Sequence, residues 1–556
     1  MTLDAAQRDR IRFDLVWGRL IGIMEDQAQT LIRTAFSTTT RESGDLSAGV
    51  FDARGRMIAQ AVTGTPGHVN AMAIAVGHFL DRFPLAELRE GDVLLSNDPW
   101  LCSGHLHDFT VVTPVFLGAR AVGAVANTVH VVDIGGLGFG PDGRDVHEEG
   151  LSLPVCKLAD GGRMDPLLLS IIRANVREPE QVVGDLYSSV AGNEQAARET
   201  AALLREFGLA DLGALSDSIV SRTRETVERR IADLPDGEQH NALPMDGYGE
   251  EVELRLRLVV DGRRMVLDFT GSSPASPRGI NVVKNYTDAY AVFGVNCAIN
   301  PDIPCNAGSL APVEVIAEPG SILNAQRPAA VSARHMIGHM LPDLVLGALA
   351  PLLPTPAEGA GLIWMPSLRG RRPDTGAAFA TVTFNAGGAG AHADRDGWNA
   401  TAFPSGVKTM PVEAVEATVP VLFLRKELRA DSGGPGRFRG GLGQTLEIAG
   451  EGTGPLLVNA MFDRLHHPAR GRDGGGDGAL GEARRGSGEP FAGKGLQELA
   501  PGDTLVLQLP GGAGVGDPRE RDPAAVEADL LAGYVTPEAA ARDYGREPST
   551  APATGS

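Results

Sequence analysis

The run FTVVTPVFLGARAVGAVANTVHVVD, residues 109–133, constrains this chain more than any other segment. It reads as two apolar strands around Gly118 that fold back on one another as a hairpin. Side chains able to ligate a metal stand at its ends: His105, His107 and Asp108 before it, His130 and Asp133 at its close. The return of the hairpin brings His130 alongside the loop that carries His105 and Asp108, while His107, between those two, is expected to point elsewhere. Two ligands from a loop and one from the neighbouring strand make an open site. Histidine and carboxylate together suit zinc, manganese or iron. The alternative, surface or hydrogen-bonded core residues, is weakened by this concentration in a chain with only 12 histidines.

The 556 residues are 43% hydrophobic and 22% charged, with 71 Gly and 37 Pro and only 5% aromatics. That composition favours a turn-rich α+β build over a helical bundle. Lys+Arg 50 against Asp+Glu 70 leaves a net charge of −20, which disfavours nucleic acid and anionic membrane surfaces as partners. The first residues, MTLDAAQRDRIRFDLVW, have no apolar signal core, and no window approaches a spanning helix. Four cysteines without a CxxC pair point to a reducing, cytoplasmic setting and argue against a thiolate zinc site.

Along the chain, residues 4–38 read as one long helix. LSAGVFDARGRMIAQAV reads as a hairpin turning at Asp52–Gly55, 71–90 as a helix and DVLLS as a buried strand. Helices follow at 180–208 and 214–233. The period then changes to two in EVELRLRLVVDGRRMVLDF, a hairpin at Asp261-Gly262. Further helices are expected at 281–300, 335–352 and 523–545, and a long mobile loop at 467–492. The division expected is an N-terminal α+β part, 1–240, that carries the metal site. It interlocks with a β-rich part, 241–545, and a disordered tail, 546–556, follows.

The glycine-rich stretches GGLGFGPDG, SGGPGRFRGGLG and PGGAGVGDP contain no G-x-x-x-x-G-K-[ST] and no dinucleotide fingerprint. They read as tight turns with positive φ, with Arg437 and Arg439 as a weak anion contact. No G-x-S-x-G elbow is present, and Cys102 reads as loop packing. Asp45 and His68 read as turn or cap residues. In RDVHEEGLSLP, a solvated acidic loop is the default, but one member, for which we take Glu149, can reach the site as a base.

RESGDLSAGVFDARGRMIAQA, PGHVNAM, GDVLLSNDPWLCSGHLHDFTVVTPVF, HVVDIGG, EEGLSLP, DFTGSSP, NPDIPCNAGSLAPVEVIAEPGSILNAQRPAAV and ADSGGPGRFRGGLG stand in this order. Together they resemble the hydantoinase B/oxoprolinase family over about residues 10–545. The resemblance implies ligands at His105, Asp108 and His130, and raises Asp45 from turn residue to fourth ligand. The chain departs from the family's usual G-G-T-H-L-P-D loop, reading Cys102-Ser103-Gly104-His105-Leu106-His107-Asp108, so a second imidazole stands where the family has proline.

The family further implies a division of labour. A hydantoinase-A-like partner binds ATP and phosphorylates a carbonyl oxygen, and the B-type subunit completes the opening of a hydantoin, oxoproline or other lactam at its divalent metal. Related subunits carboxylate acetone or acetophenone, and a scaffold that only supports the ATPase is a third possibility. A reactive phosphorylated intermediate has to be shielded from water. A permanent complex is therefore expected, with the metal pocket opening toward the partner and a large apolar patch exposed on the isolated chain.

Overall fold

A computed structural model describes residues 5–361 and 363–546, so the expected disordered tail falls almost wholly outside the described residues. The architecture is α+β, with several separate sheets. None of the described helices is long and apolar enough to cross a membrane.

The first helix, Ala5–Thr34, ends earlier than its apolar period suggests. The backbone N–H groups of Phe36 and Ser37 donate to Asp185 Oδ1, at 2.8 and 3.1 Å, and draw the chain out of the helix. A single turn, Thr38–Arg41, follows, capped by the Ser37 side chain.

Seven strands then build one antiparallel sheet: β1 Leu46–Asp52, β2 Met57–Gln60, β3 Val93–Ser96, β4 Asp108–Leu117, β5 Arg120–His130, β6 Cys156–Asp160 and β7 Arg163–Met164. Their order is β2-β1-β5-β4-β3-β6-β7. The β1–β2 turn forms as expected, with Asp52 Oδ1 accepting from the backbone of Arg54 and Arg56 at 2.9 Å each. The β4–β5 run lacks a polar face because the sheet is covered on both sides. Val50, Val111 and Val125 face the helices Ala5–Thr34 and Pro179–Glu206. Phe51, Val112 and Ala126 face the helix Pro66–Arg82. That helix begins five residues before the expected start at 71, because Pro66 sits in its first turn, where a missing N–H costs nothing.

The second region holds β8 Gly237–Met245, β9 Val252–Asp261, β10 Arg264–Asp268 and β11 Val313–Ile316, paired β11-β10-β9-β8. The helix Lys284–Ile299 belongs to the same core. The expected helix at 335–352 is broken into His335–Gly338 and Leu341–Leu349. Pro342 has no N–H for the carbonyl four residues back, so the first piece cannot run on. Two further four-stranded sheets are made from β12 Ser367–Arg371, β13 Ala378–Val382, β14 Val421–Leu428, β15 Gln444–Gly450, β16 Leu456–Met461, β17 Glu482–Arg485, β18 Lys494–Leu499 and β19 Thr504–Gln508. They pair as β13-β12-β16-β18 and β14-β15-β19-β17.

The expected mobile loop at 467–492 is instead packed. Segments 387–391, 432–443, 469–479 and 510–516 lie side by side and exchange backbone hydrogen bonds: Gly434 N to Gly512 O at 2.8 Å, Gly512 N to Gly441 O at 2.9 Å, Gly514 N to Gly476 O at 2.9 Å. Turn geometry does not explain these glycines. Among the described residues of 432–443 none has positive φ, and in 510–516 only Gly516 does. What glycine supplies is room for close approach. A Cβ on Gly512 would stand 2.0 Å from the Ala389 carbonyl oxygen, and one on Gly388 would stand 1.8 Å from that of Gly441.

Gly512→Ala should therefore lower the unfolding free energy by about 3 kcal/mol or more. Gly77→Ala, in a helix with no heavy atom within 4 Å of the added carbon, should stabilise by under ~1 kcal/mol. Denaturant unfolding of the two variants side by side checks this; equal midpoints would contradict the close packing.

Candidate metal centre

Strand register sets the site. In the β4–β5 hairpin Asp108 stands opposite His130, and β1 pairs with β5 so that Asp45, one residue before β1, comes up beside it. The His130 backbone N–H donates to the Asp45 carbonyl at 3.2 Å. Gly104, at φ +95°, turns the chain so that His105 reaches back to the strand ends. The first turn of the helix Pro66–Arg82 supplies His68.

Asp108 is the hub and is fully buried. Its Oδ1 lies 2.7 Å from His105 Nε2 and 3.0 Å from His130 Nδ1. Its Oδ2 accepts from Ser103 Oγ at 2.6 Å and Arg334 Nη2 at 2.6 Å, and lies 2.9 Å from His68 Nε2. Burial would raise its pKa, but the groups around it, His68 and Arg334 among them, overcome that and hold the carboxyl well below its ordinary value. Arg334 is itself buried, with its guanidinium 4.0 Å from the centre of the Tyr286 ring.

The tautomer of His105 tests whether a cation fits here. Its Nδ1 lies 2.9 Å from the Ser332 carbonyl, which can only accept, so Nδ1 carries the proton. Burial first, then Arg334, pushes His105 down to about 3, so the ring is neutral near pH 7. Nε2 is then a lone pair facing a carboxylate oxygen at 2.7 Å, two acceptors in contact, and it has no hydrogen-bond donor. His130 Nε2 is likewise buried without a partner. A positive ion between His105 Nε2 and the carboxylate resolves that contact. One ligand atom each from His105, Asp108 and His130 lies within 4.8 Å of the others, so the donor set fits a divalent metal.

Asp45 sits at the edge of this triad, its Oδ2 4.0 Å from His130 Nδ1 and its Oδ1 3.6 Å from His68 Nδ1. Glu149 is buried and does not line the cavity; its Oε1 accepts from the backbone N–H of Val331 and of Ser332, both at 2.7 Å. Burial raises its carboxyl to about 8 despite those two donors. His107 stands outside the triad and does not line the cavity. Residues 104–107 form a turn, in which strand alternation does not hold, and the ring stacks on His130 at 5.5 Å with neither nitrogen partnered. Asp133 is drawn off into an ion pair with Arg177, and Arg439 pairs with Asp529 rather than waiting for an anion. Cys102 is packed as expected, its thiol pushed by burial to about 12.

Several residues of the site escaped the sequence reading. A cavity of about 30 Å³ is bounded by Asp45, His68, His105 and His130 on one side and by His335, His339 and Tyr286 on another. Both ring nitrogens of His335 and Nδ1 of His339 are buried without partners. Phe139 stands between the two groups, edge-on to His130 at 5.1 Å and stacked on His335 at 5.5 Å. The spacing of His335 and His339, four apart in RHMIGH, was the available signal.

With this geometry established, comparison with known proteins is informative. The family described as Hydantoinase B/oxoprolinase matches residues 9–518. Caprolactamase subunit beta of Pseudomonas jessenii is 28% identical over 97% of this chain and 96% of that one. The crystal structure of the ATP-dependent caprolactamase from the same organism superposes with a TM-score of 0.88 at 25% identity, covering 99% of this chain and 97% of that one. Nucleotide-free acetone carboxylase shares the fold, with a TM-score of 0.87 at 19% identity over 98% of this chain and 80% of that one. 5-Oxoprolinase 1 of Arabidopsis thaliana is 28% identical over 91% of this chain, which spans 42% of that longer protein.

Asp108→Asn should leave Arg334 and His68 buried without their counter-charge, a loss of about 3–5 kcal/mol measurable by denaturant unfolding. Purified wild-type protein should carry about one equivalent of divalent metal. A His105→Ala/His130→Ala variant should carry none by elemental analysis; full metal content in that variant would place the ion elsewhere.

Proposed function

The chain belongs to the Hydantoinase B/oxoprolinase family, and we propose that it is the metal-bearing subunit of an ATP-dependent cyclic-amide hydrolase. In this reading a hydantoinase-A-like partner phosphorylates the carbonyl oxygen of a hydantoin, oxoproline or other lactam, and the present chain completes ring opening. The observation that carries it is the neutral His105 Nε2 set 2.7 Å from the Asp108 carboxylate beside a cavity walled by histidines. The absence from the sequence of a phosphate-binding loop supports placing ATP on the partner.

His105, Asp108 and His130 would hold the metal, with Asp45 as fourth ligand. A divalent ion held there supplies Lewis acidity and lowers the pKa of a coordinated water. The rest falls to side chains of the protein. Arg334, pinned between Asp108 and the Tyr286 ring, balances the carboxylate charge and fixes its orientation. Phe139 excludes water from the imidazole edges. Burial first, then Arg334, lowers His339 to about 3, so this ring is neutral near pH 7 and offers one N–H and one lone pair. His335 and His339 thereby present polar atoms to the cavity.

Glu149 acts through the backbone. It anchors the N–H of Ser332, whose carbonyl holds the His105 tautomer, so we assign it as a positioning residue rather than a base. Glu149→Gln keeps an acceptor oxygen there and should preserve metal affinity. Glu149→Ala should weaken it by about 10-fold or more. Equal affinities in competition with a chelator would remove Glu149 from this role.

The function is tested on the chain co-purified with its ATPase subunit, using hydantoin, 5-oxoproline and caprolactam against acetone and acetophenone, each with and without bicarbonate. ATP turnover is expected with a cyclic amide, independent of bicarbonate, and none from this chain alone. Turnover that requires both ketone and bicarbonate would make it a carboxylase subunit instead. A complex that stays fully active after the metal ligands are removed would reduce this chain to a scaffold.

A further inference from the structure

A cleft of about 400 Å³ opens on the sheet β13-β12-β16-β18, away from the cavity described above, and Arg177, Arg369, Arg371, Phe379, Thr453 and Glu498 line it. Two of the three arginines have partners. Arg177 Nη1 donates to Asp133 Oδ1 at 2.6 Å and to the Gly135 carbonyl at 3.1 Å, and Arg371 Nη1 donates to the Gly376 carbonyl at 3.0 Å. Arg369 differs. Its Nε is buried without a partner, and no carboxylate among the described residues lies within ion-pair distance of its guanidinium.

The one carboxylate lining the cleft, Glu498, makes no ion pair with it. In the register of the sheet Arg369 stands beside Leu457 of β16, and Leu457 stands beside Glu498 of β18. Two strand spacings separate the acid from the base, about 10 Å. Burial and then Arg177 push the Arg369 pKa down, and the more distant carboxylates of Asp133 and Asp142 offset this only in part. A half-buried guanidinium without an acceptor is costly, and in a chain of net charge −20 a suitable carboxylate would be easy to place. The planar fork of Arg369 matches a group presenting two oxygens, and Arg371, in no ion pair among the described residues, favours a polyvalent one. The cleft volume suits a small organic molecule.

We propose that this cleft binds the phosphate group of a small molecule, with Arg369 as the anchoring guanidinium and Arg371 at the rim. The assignment stands whichever reaction the metal centre performs. One glycine loop links the cleft to that centre. A Cβ on Gly138 would lie 2.8 Å from Arg369 Nη1, so the guanidinium rests on the glycine loop whose next residue, Phe139, covers the imidazoles.

The test is calorimetric titration of the full-length chain with inorganic phosphate, AMP and succinate at matched ionic strength, alongside Arg369→Gln and Arg371→Gln. Phosphate should bind wild type, weaken at least 10-fold in Arg369→Gln and weaken two- to threefold in Arg371→Gln. In phosphate-free buffer Arg369→Gln should unfold at the wild-type temperature or above it and keep its metal, because the cation it removes has no partner. Added phosphate should raise the unfolding temperature of wild type alone. AMP binding tighter than phosphate would identify an organic phosphate; phosphate binding tighter would identify the free ion; either supports the site. The proposal is overturned by undiminished phosphate binding in Arg369→Gln, as an ion held at the metal would give, by succinate binding as tightly as phosphate, or by no binding at all.

Discussion

The Asp108 carboxylate is the interaction on which the arrangement depends. It is buried completely, yet its two oxygens meet five groups from four separate segments: the loop at Ser103 and His105, the strand end at His130, the helix start at His68, and Arg334 from the second region. A buried charge so surrounded is tolerable only if every partner is in place, because each lost partner leaves desolvation uncompensated. The consequence is geometric. The sheet, the helix Pro66–Arg82 and the segment 331–339 are held in one relation to each other, and the imidazoles between them have little freedom to turn.

The glycine-rich segments solve a different problem. Extended chains cannot approach to hydrogen-bonding distance on several sides at once if side chains stand between them. The contacts of Gly388, Gly440, Gly511 and Gly512 with neighbouring carbonyls show how little space remains. A bundle of this kind draws its cohesion from backbone hydrogen bonds rather than from apolar area. That explains how a region so poor in hydrophobic residues is ordered, and why most glycines there do not mark turns.

Local sequence was a good guide to whatever local sequence controls. The β4–β5 hairpin, the alternating β9 and the pairing of His130 with the His105–Asp108 loop all followed from periodicity and one glycine. Asp45 gained a role in the sequence only through the family resemblance, and His68, which looked like an ordinary cap residue, gains meaning only from the partners that the sheet brings in. Arg334, His335 and His339 lie more than 200 positions from the triad, and no spacing rule links them to it. The break that aims those two histidines was nevertheless written in one residue, Pro342, read too lightly inside an apolar run.

The distance along the chain between Asp108 and Arg334, 226 residues, also imposes an order of events during synthesis. All the triad residues have been made well before the arginine that balances them. At about 5–20 residues per second the interval is roughly 10–45 s. Throughout it, the nascent chain holds an acidic, histidine-rich hairpin without its arginine, and the first two hundred or so residues cannot settle that carboxylate in a dry interior. Closure waits for the second region to emerge and dock. The finished site is thus a record of completed synthesis: a chain cut short before residue 334 would keep every triad residue and still lack the interior that holds them together.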